Sequence, residues 1–323
     1  MAFAMMNLLL QLLLCAIGVT LLCYGADFLV RGGVRIANAL KIPSIIIGLT
    51  LVSFATSAPE LVVSIDAAIE NNGDISIGNV MGSNVSNIGL ILGLTCLISP
   101  VKVEPRLLKF DSPVLLFSTI LLIFFTMLNG GVTRIEAAIL LTIFVLYMWK
   151  TIADALKGEA APSEEETPKG KPISMTLAFV FVIGGILALV GGAKLFVNAS
   201  VEIAKISHVS DAVIALTIVA IGTSLPELAT SVVAAYKGEN GIAVGNVIGS
   251  NIFNILSILG IAPLVRPIKA AGIHTADIMT MGILTVLMVI MMASHKTVSR
   301  LEGALLLLLY IGYISFLVVQ NVG

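Results

Sequence analysis

Charge is what this sequence has least of. Lys and Arg number 18 and Asp and Glu 19 among 323 residues, 11% together, against 58% hydrophobic. A water-soluble domain of this size covers its surface with about a quarter charged residues, so that class is excluded. A net charge of −1 offers no basic field for nucleic acid. Histidine is nearly absent: His208, His274 and His295 fall near the ends of apolar runs and read as interface residues, leaving no imidazole set for zinc. The three cysteines, Cys15, Cys23 and Cys96, lie in apolar runs without paired spacing and read as buried, inert thiols. No Gly-x-x-x-x-Gly-Lys, His-Glu-x-x-His or Gly-x-Ser-x-Gly occurs. A nucleotide-driven pump and an intramembrane hydrolase therefore lack their chemistry, and neither enzyme activity nor a bound cofactor or nucleotide is expected.

What is present is apolar sequence at membrane length. Mean hydropathy is +1.08, and runs of about 17–25 apolar residues recur, enough to cross the hydrocarbon as helices. They lack the alternation of a membrane barrel. Ten spans are predicted, at 5–25, 42–69, 75–98, 112–128, 134–153, 174–197, 210–236, 242–264, 276–293 and 301–320. The run from Asn7 to Tyr24 has no Lys or Arg before it and reads as a retained span. Between the fifth and sixth spans lies a polar segment with Pro162, Pro168, Pro172 and the acidic run Glu164–Glu166. The expected organisation is an all-α membrane protein: a five-helix repeat at 1–153, a linker at 154–173 and a second five-helix repeat at 174–323.

Orientation follows from the basic residues. With the linker cytoplasmic, 13 of the 18 Lys and Arg fall on the inside and 5 outside, which places both termini outside, in a cell membrane. The second half alone divides 3 against 4 and decides nothing.

The strongest pattern is internal. Shifted by 167 residues, 43–102 matches 210–269 without a gap at 27 of 60 positions. The identities include polar residues that composition does not supply. Thr56-Ser57-x-Pro59-Glu60-Leu61 recurs as Thr223-Ser224-x-Pro226-Glu227-Leu228. Gly78-Asn79-Val80-x-Gly82-Ser83-Asn84-x-x-Asn87 recurs as Gly245-Asn246-Val247-x-Gly249-Ser250-Asn251-x-x-Asn254. Five spans per half is an odd number, so the second half enters the membrane inverted, as in many secondary transporters whose site lies where the repeats meet.

The repeated residues carry a definite chemistry. A carboxylate in mid-membrane costs about 2.5–3.5 kcal/mol on insertion scales, so Glu60 and Glu227 need a partner, a cavity or an ion. A protonated Glu hydrogen-bonded inside the bundle is the alternative for one such residue; two at repeat-related positions weigh against it. Pro59 and Pro226 free carbonyls near Thr56 and Thr223 to face a ligand, although a packing kink alone has the same signature. Asn79, Ser83 and Asn87 recur every four residues along one face, and Gly78 with Gly82 forms a small-xxx-small pair that admits close backbone approach. Asn79 and Asn84 also fit a purely helix-joining role. Together the donors are hard oxygens, suited to Ca²⁺ or Na⁺ and unsuited to zinc, copper or iron. Asp27 and Lys194 occupy related positions with opposite charges, and both read as interfacial.

At these motifs the sequence resembles the cation/calcium exchanger superfamily, most nearly its prokaryotic sodium/calcium exchangers, and the resemblance extends over the whole ten-span layout. It implies a secondary antiporter that exchanges Ca²⁺ for Na⁺ by alternating access, acting as a monomer with inorganic cations and lipid as its partners. It implies Ca²⁺ between Glu60 and Glu227 with the carbonyls of Thr56 and Thr223. It implies sodium sites at Ser53, Ser57 and Ser83 in one half and at Ala220, Ser224 and Ser250 in the other, with Asn87 and Asn254 as the central polar pair. Sodium-coupled relatives often have Asp where Asn254 stands, which keeps an H⁺/Ca²⁺ antiporter as the alternative. A cation channel is a further one, although buried Glu residues in inverted repeats favour coupled exchange.

Overall fold

The computed structural model describes residues 2–157, 173–207, 220–269 and 272–322, with single positions at 209, 214, 217 and 218. The polar run Glu164–Glu166, His208 and most of 210–219 lie outside the described residues.

The first half comprises α1 (Ala2–Leu40), α2 (Ser44–Thr56), α3 (Ala58–Ile69), α4 (Gly73–Ile98), α5 (Leu107–Asn129) and α6 (Arg134–Leu156). The second comprises α7 (Met175–Ile206), a helical turn at Ala220–Gly222, α8 (Leu225–Tyr236), α9 (Asn240–Val265), α10 (Thr275–His295) and α11 (Arg300–Val322). Eight of these helices are long and apolar enough to cross a membrane, and α2 with α3, bent by 45°, makes a ninth. The protein is therefore a mostly helical integral membrane protein. Large apolar side chains such as Leu13, Phe124, Trp149 and Phe316 project outward, as a lipid-facing surface requires.

Several boundaries differ from the predicted ones: α5 begins at Leu107 and α7 runs to Ile206, and the ends of α1 and α6 also move. α1 continues well past residue 25 to Leu40, because the charges that seemed to end the span find partners: Arg31 pairs with Asp27 on the same helix at 2.8 Å, and Asp27 and Arg35 are also met by the remote Lys237 and Ile173. The helix stops where Lys41 takes φ 56° and Pro43 follows. α6 reaches Leu156, so Asp154 is helical and not linker; it pairs with Lys150 at 3.0 Å and with Arg106 at 3.6 Å.

Local chemistry repeats between the halves. α6 opens on Thr133, whose backbone N–H donates to Glu136 (2.7 Å), and α11 opens on Ser299, whose N–H donates to Glu302 (2.7 Å). Tyr147 donates to Asp111 at 3.0 Å, and Tyr313 donates to Asp277 at 2.7 Å.

Packing between the halves is reciprocal. Gly93 of α4 meets Gly303 and Leu307 of α11, while Gly260 of α9 meets Leu141 of α6. The two-residue strand β1 (Val101–Lys102) pairs with β4 (Thr297–Val298), and β2 (Gly131–Val132) pairs with β3 (Ile268–Lys269). α1 and α7 run antiparallel along their length: Gly18 lies on Gly192, Gly25 on Gly185 and Gly32 on Ala178. A Cβ at Gly25 would sit 2.9 Å from the Gly185 carbonyl oxygen, so these glycines are what allow the backbones to touch.

Two expectations fail here. Of the cysteines only Cys96 is buried; Cys15 is half-buried and Cys23 exposed on the apolar surface, because α1 packs one face and turns the other outward. The pair Gly78 and Gly82 does not bring backbones together: Gly82 faces open space among the described residues. Its repeat counterparts do, with Gly245 against Ile45 and Gly48, and Gly249 against Leu49 and Ser53. Whether a small-xxx-small face is used depends on what lies opposite, which the pattern does not encode.

Candidate functional site

Each Glu sits one turn beyond a helix break. The backbone leaves helix at Ser57 with φ −86° and ψ 5°, and Ser224 has the same angles. Pro59 and Pro226 then occupy the first turns of α3 and α8. A proline costs no hydrogen bond there, since first-turn N–H groups have no partner inside the helix. Glu60 and Glu227 follow in the same first turns, where the helix dipole favours negative charge. The break thus does two things: it interrupts the helical hydrogen-bond ladder, after Thr56 in the first half and before Ser224 in the second, and it starts a new helix N-terminus beside each Glu.

Both carboxylates are sealed from the surroundings, Glu60 at 0% exposure and Glu227 at 1%. Ser57 donates to one oxygen of Glu227 at 2.9 Å. The other oxygen of Glu227 and both oxygens of Glu60 have no hydrogen-bond partner among the described residues. The Ser224 and Ser250 hydroxyls and the side-chain oxygens of Asn87 and Asn254 are likewise buried without partners. Seven unpartnered buried polar oxygens in the two repeated motifs are far from the near-complete pairing of protein interiors.

A frame of amides holds these motifs together. Asn79 donates to the Glu60 carbonyl (3.1 Å) and to Ser64 (3.0 Å), and Asn246 donates to the Glu227 carbonyl (3.4 Å) and to Ser231 (3.0 Å). Thr56 donates across the halves to Asn246 at 3.1 Å. At the centre the amides cross: Asn87 donates to Asn251 at 3.3 Å, and Asn254 donates to Asn84 at 3.0 Å. Positions that exchange partners under the 167-residue shift make each of these pairs.

The central asparagines also sit on widened turns. α4 contains a π-helical stretch at Asn87–Leu92 and α9 one at Phe253–Ile258, which includes Asn254. Such turns leave carbonyls out of the regular ladder and occur often at functional sites. α3, which carries Glu60, packs against the stretch with Asn254; α8, which carries Glu227, packs against the stretch with Asn87.

The predicted site residues separate into two groups. Glu60, Glu227, Ser57, Ser224, Ser83, Ser250, Asn87, Asn254, Ser53 and Thr56 are all buried, and Thr223 is half-buried at the break. The Ser53 hydroxyl donates back to the Leu49 carbonyl at 2.9 Å. Ala220 begins the helical turn before the second break, but its side chain lies outside the described residues. Asn79 and Asn84 prove to be joining residues, their amides spent on backbone and side-chain bonds. Ser64 and Ser231 were missed; their identity under the repeat shift was a usable signal, obscured because a lone Ser in an apolar span looks ordinary. Among the described residues no three His, Cys, Asp or Glu side chains come together, so a cation here would meet two carboxylates and otherwise neutral oxygens.

The chain matches the family model described as "Sodium/calcium exchanger protein" over residues 10–153 and 177–319. It is 38% identical to the putative antiporter CaxA of Alkalimonas amylolytica over 307 residues, 92% of this chain and 95% of that protein. It is 33% identical to the sodium/calcium exchanger MaX1 of Methanosarcina acetivorans over 346 residues, 94% of this chain and 97% of that protein. Among solved structures, the sodium-calcium exchanger NCX_Mj superposes with a TM-score of 0.83 at 34% identity, covering 96% of this chain and 99% of that one. Helical architecture, repeated motifs and these likenesses agree: the chain belongs to the sodium/calcium exchanger family and is a membrane cation exchanger.

Proposed function

We propose that this protein exchanges Ca²⁺ for Na⁺ across the membrane by alternating access at a site between Glu60 and Glu227. The observation that carries the reading is the set of buried, unpartnered oxygens on both repeats. Leaving such groups without partners costs about 1–3 kcal/mol each, more for charged ones, unless a cation supplies the missing interactions. Two carboxylates balance one Ca²⁺, and the neutral oxygens of Ser, Asn and the Thr56 and Thr223 carbonyls complete a hard-oxygen shell. Sodium ions take the neighbouring groups, Ser53, Ser57 and Ser83 in one half and Ser224, Ser250 and the backbone of Ala220 in the other. Ca²⁺ and Na⁺ compete for the same two charges, so each load leaves only as the other enters.

The architecture we assign is ten spans in two inverted five-helix repeats. The antiparallel run of α1 against α7 and the reciprocal pairing of the strands support it, since an exchange of partners between halves is what a two-fold relation produces. The linker is assigned to the cytoplasm and both termini to the outside.

Radiolabelled Ca²⁺ uptake into proteoliposomes tests the reading, with an outward Na⁺ gradient and equal pH on both sides. Uptake is expected to need Na⁺ and to vanish in Glu60→Gln and in Glu227→Gln. Uptake driven by a pH gradient alone would transfer the same site to proton coupling, a reading the two oxygens of Glu60, both without a donor, also support. Absence of Ca²⁺ flux under either gradient, in folded protein, rejects the calcium assignment.

A further inference from the structure

The repeat relates Asp27 on α1 to Lys194 on α7, and Glu70 after α3 to Lys237 after α8. Glu70 and Lys237 are both helix C-caps. In the structure Asp27, with 17% of its side chain exposed, forms an ion pair with Lys237 and another with Arg31 at 2.8 Å, and α1 packs along α8. The mirror of that contact joins Lys194 to Glu70, with the charges exchanged. It is not made: both residues are exposed, and neither has an ion-pair partner among the described residues. α7 has no comparable packing on α3. A cavity of about 430 Å³ lies between α7 and the start of α8, lined by Ile203, Ala204, Ser207, Ile221 and Leu225 among others. Ile203 is half-buried there, whereas its first-half equivalent, Ile36, is closed in at 7% exposure.

A lysine at a helix C-cap is favoured by the helix dipole, whereas a glutamate there is disfavoured. Lys237 thus has a local explanation and Glu70 does not. A partner that arrives in another conformation supplies one. α1 and α7 touch backbone to backbone at Gly18–Gly192 and Gly25–Gly185, so they move as one body. By the rise of an α-helix, Asp27 and Lys194 lie roughly 8 Å to opposite sides of the centre of that pair. A rocking motion that carries Lys194 onto Glu70 therefore lifts Asp27 from Lys237.

We infer that these four residues position the transport cycle as two ion pairs of exchanged sign: Asp27–Lys237 holds the conformation described here, and Lys194–Glu70 holds the opposite one. The inference rests on the alternating-access reading above and adds residues outside the cation site.

The test uses thiol labelling, which requires no ion flux. On a background with Cys15, Cys23 and Cys96 replaced by Ser, Ile203→Cys reports the cavity beside α7 and Ile36→Cys the closed equivalent, each probed with a water-soluble maleimide in cation-depleted buffer. Lys237→Gln is expected to slow labelling at 203 and speed it at 36 by about threefold or more, the scale of losing one partly exposed ion pair. Glu70→Gln or Lys194→Gln shifts both rates the other way, the double variant Lys237→Gln with Glu70→Gln returns near the parent, and Lys237→Arg keeps the parent pattern. Shifts of the same sign in both single variants, or none in either, overturn the inference. A wrong choice of transported ion would leave these rates untouched and appear only in the Ca²⁺ uptake assay.

Discussion

Ser57 and Ser224 share one backbone conformation, yet only Ser57 donates to a carboxylate. Among the described residues Glu227 therefore has one oxygen satisfied and Glu60 none. Replacing either by Gln removes a buried charge and should stabilise the cation-free protein, more for Glu60→Gln because no hydrogen-bond donor reaches its carboxylate among the described residues. The same substitutions should abolish the rise in melting temperature that Ca²⁺ gives the parent; melting in detergent, with chelator and with Ca²⁺, checks both. A Ca²⁺-induced rise that survives both changes would remove the carboxylates from the site. The amide frame behaves differently. Asn79→Ala and Asn246→Ala each remove two hydrogen bonds that tie the Glu-bearing helix to its neighbour, for a loss of about 1–3 kcal/mol. Asn246→Ala should cost more, since Asn246 also accepts from Thr56. Equal losses in urea titrations would show that the cross-half bond contributes nothing.

At the scale of the element, the breaks before α3 and α8 and the widened turns in α4 and α9 shape the candidate site, while the glycines of α1 and α7 let those two helices pack backbone to backbone beside it. Gly25→Leu or Gly185→Leu drives a side chain into the facing backbone, and overpacking of that kind costs about 1–3 kcal/mol. Gly184→Ala and Gly191→Ala meet nothing within 4 Å among the described residues and should melt with the parent. A melting temperature unchanged in Gly25→Leu would mean that α1 and α7 do not rely on backbone contact. The Pro-Glu breaks were legible in sequence because both halves carry them. The full length of α1 was not, since hydropathy falls where Asp27, Arg31 and Arg35 begin and the partners that retain them in the helix are remote: Arg35 donates to the Ile173 carbonyl at 2.6 Å and Asp27 pairs with Lys237.

For the whole molecule, the inverted arrangement and orientation proposed above make a prediction about sidedness. In right-side-out vesicles of cysteine-free protein, a single cysteine placed in the polar segment 154–173 should react with an impermeant maleimide only after permeabilisation. One appended beyond Gly323 should react without it. The reverse pattern would turn the molecule over while leaving the site unchanged, because exchange of the two halves maps Glu60 onto Glu227. Reciprocal contacts also tie the two halves together at the centre: the amide bonds from Asn87 to Asn251 and from Asn254 to Asn84 both span them.

The duplication, the membrane class, the two Glu motifs and the hard-oxygen chemistry were all determined by the sequence, because periodic hydropathy and identity at polar positions are local properties that survive without coordinates. Which of the repeated polar residues face inward unpartnered and which are consumed in joining helices was decided by the tertiary structure. So was the difference between the halves: Gly245 and Gly249 packed where Gly78 and Gly82 are not, and Asp27 paired where Lys194 is free of an ion pair among the described residues. A repeated sequence encodes both arrangements equally. One chain can hold only one of them at a time, and packing between distant segments selects it.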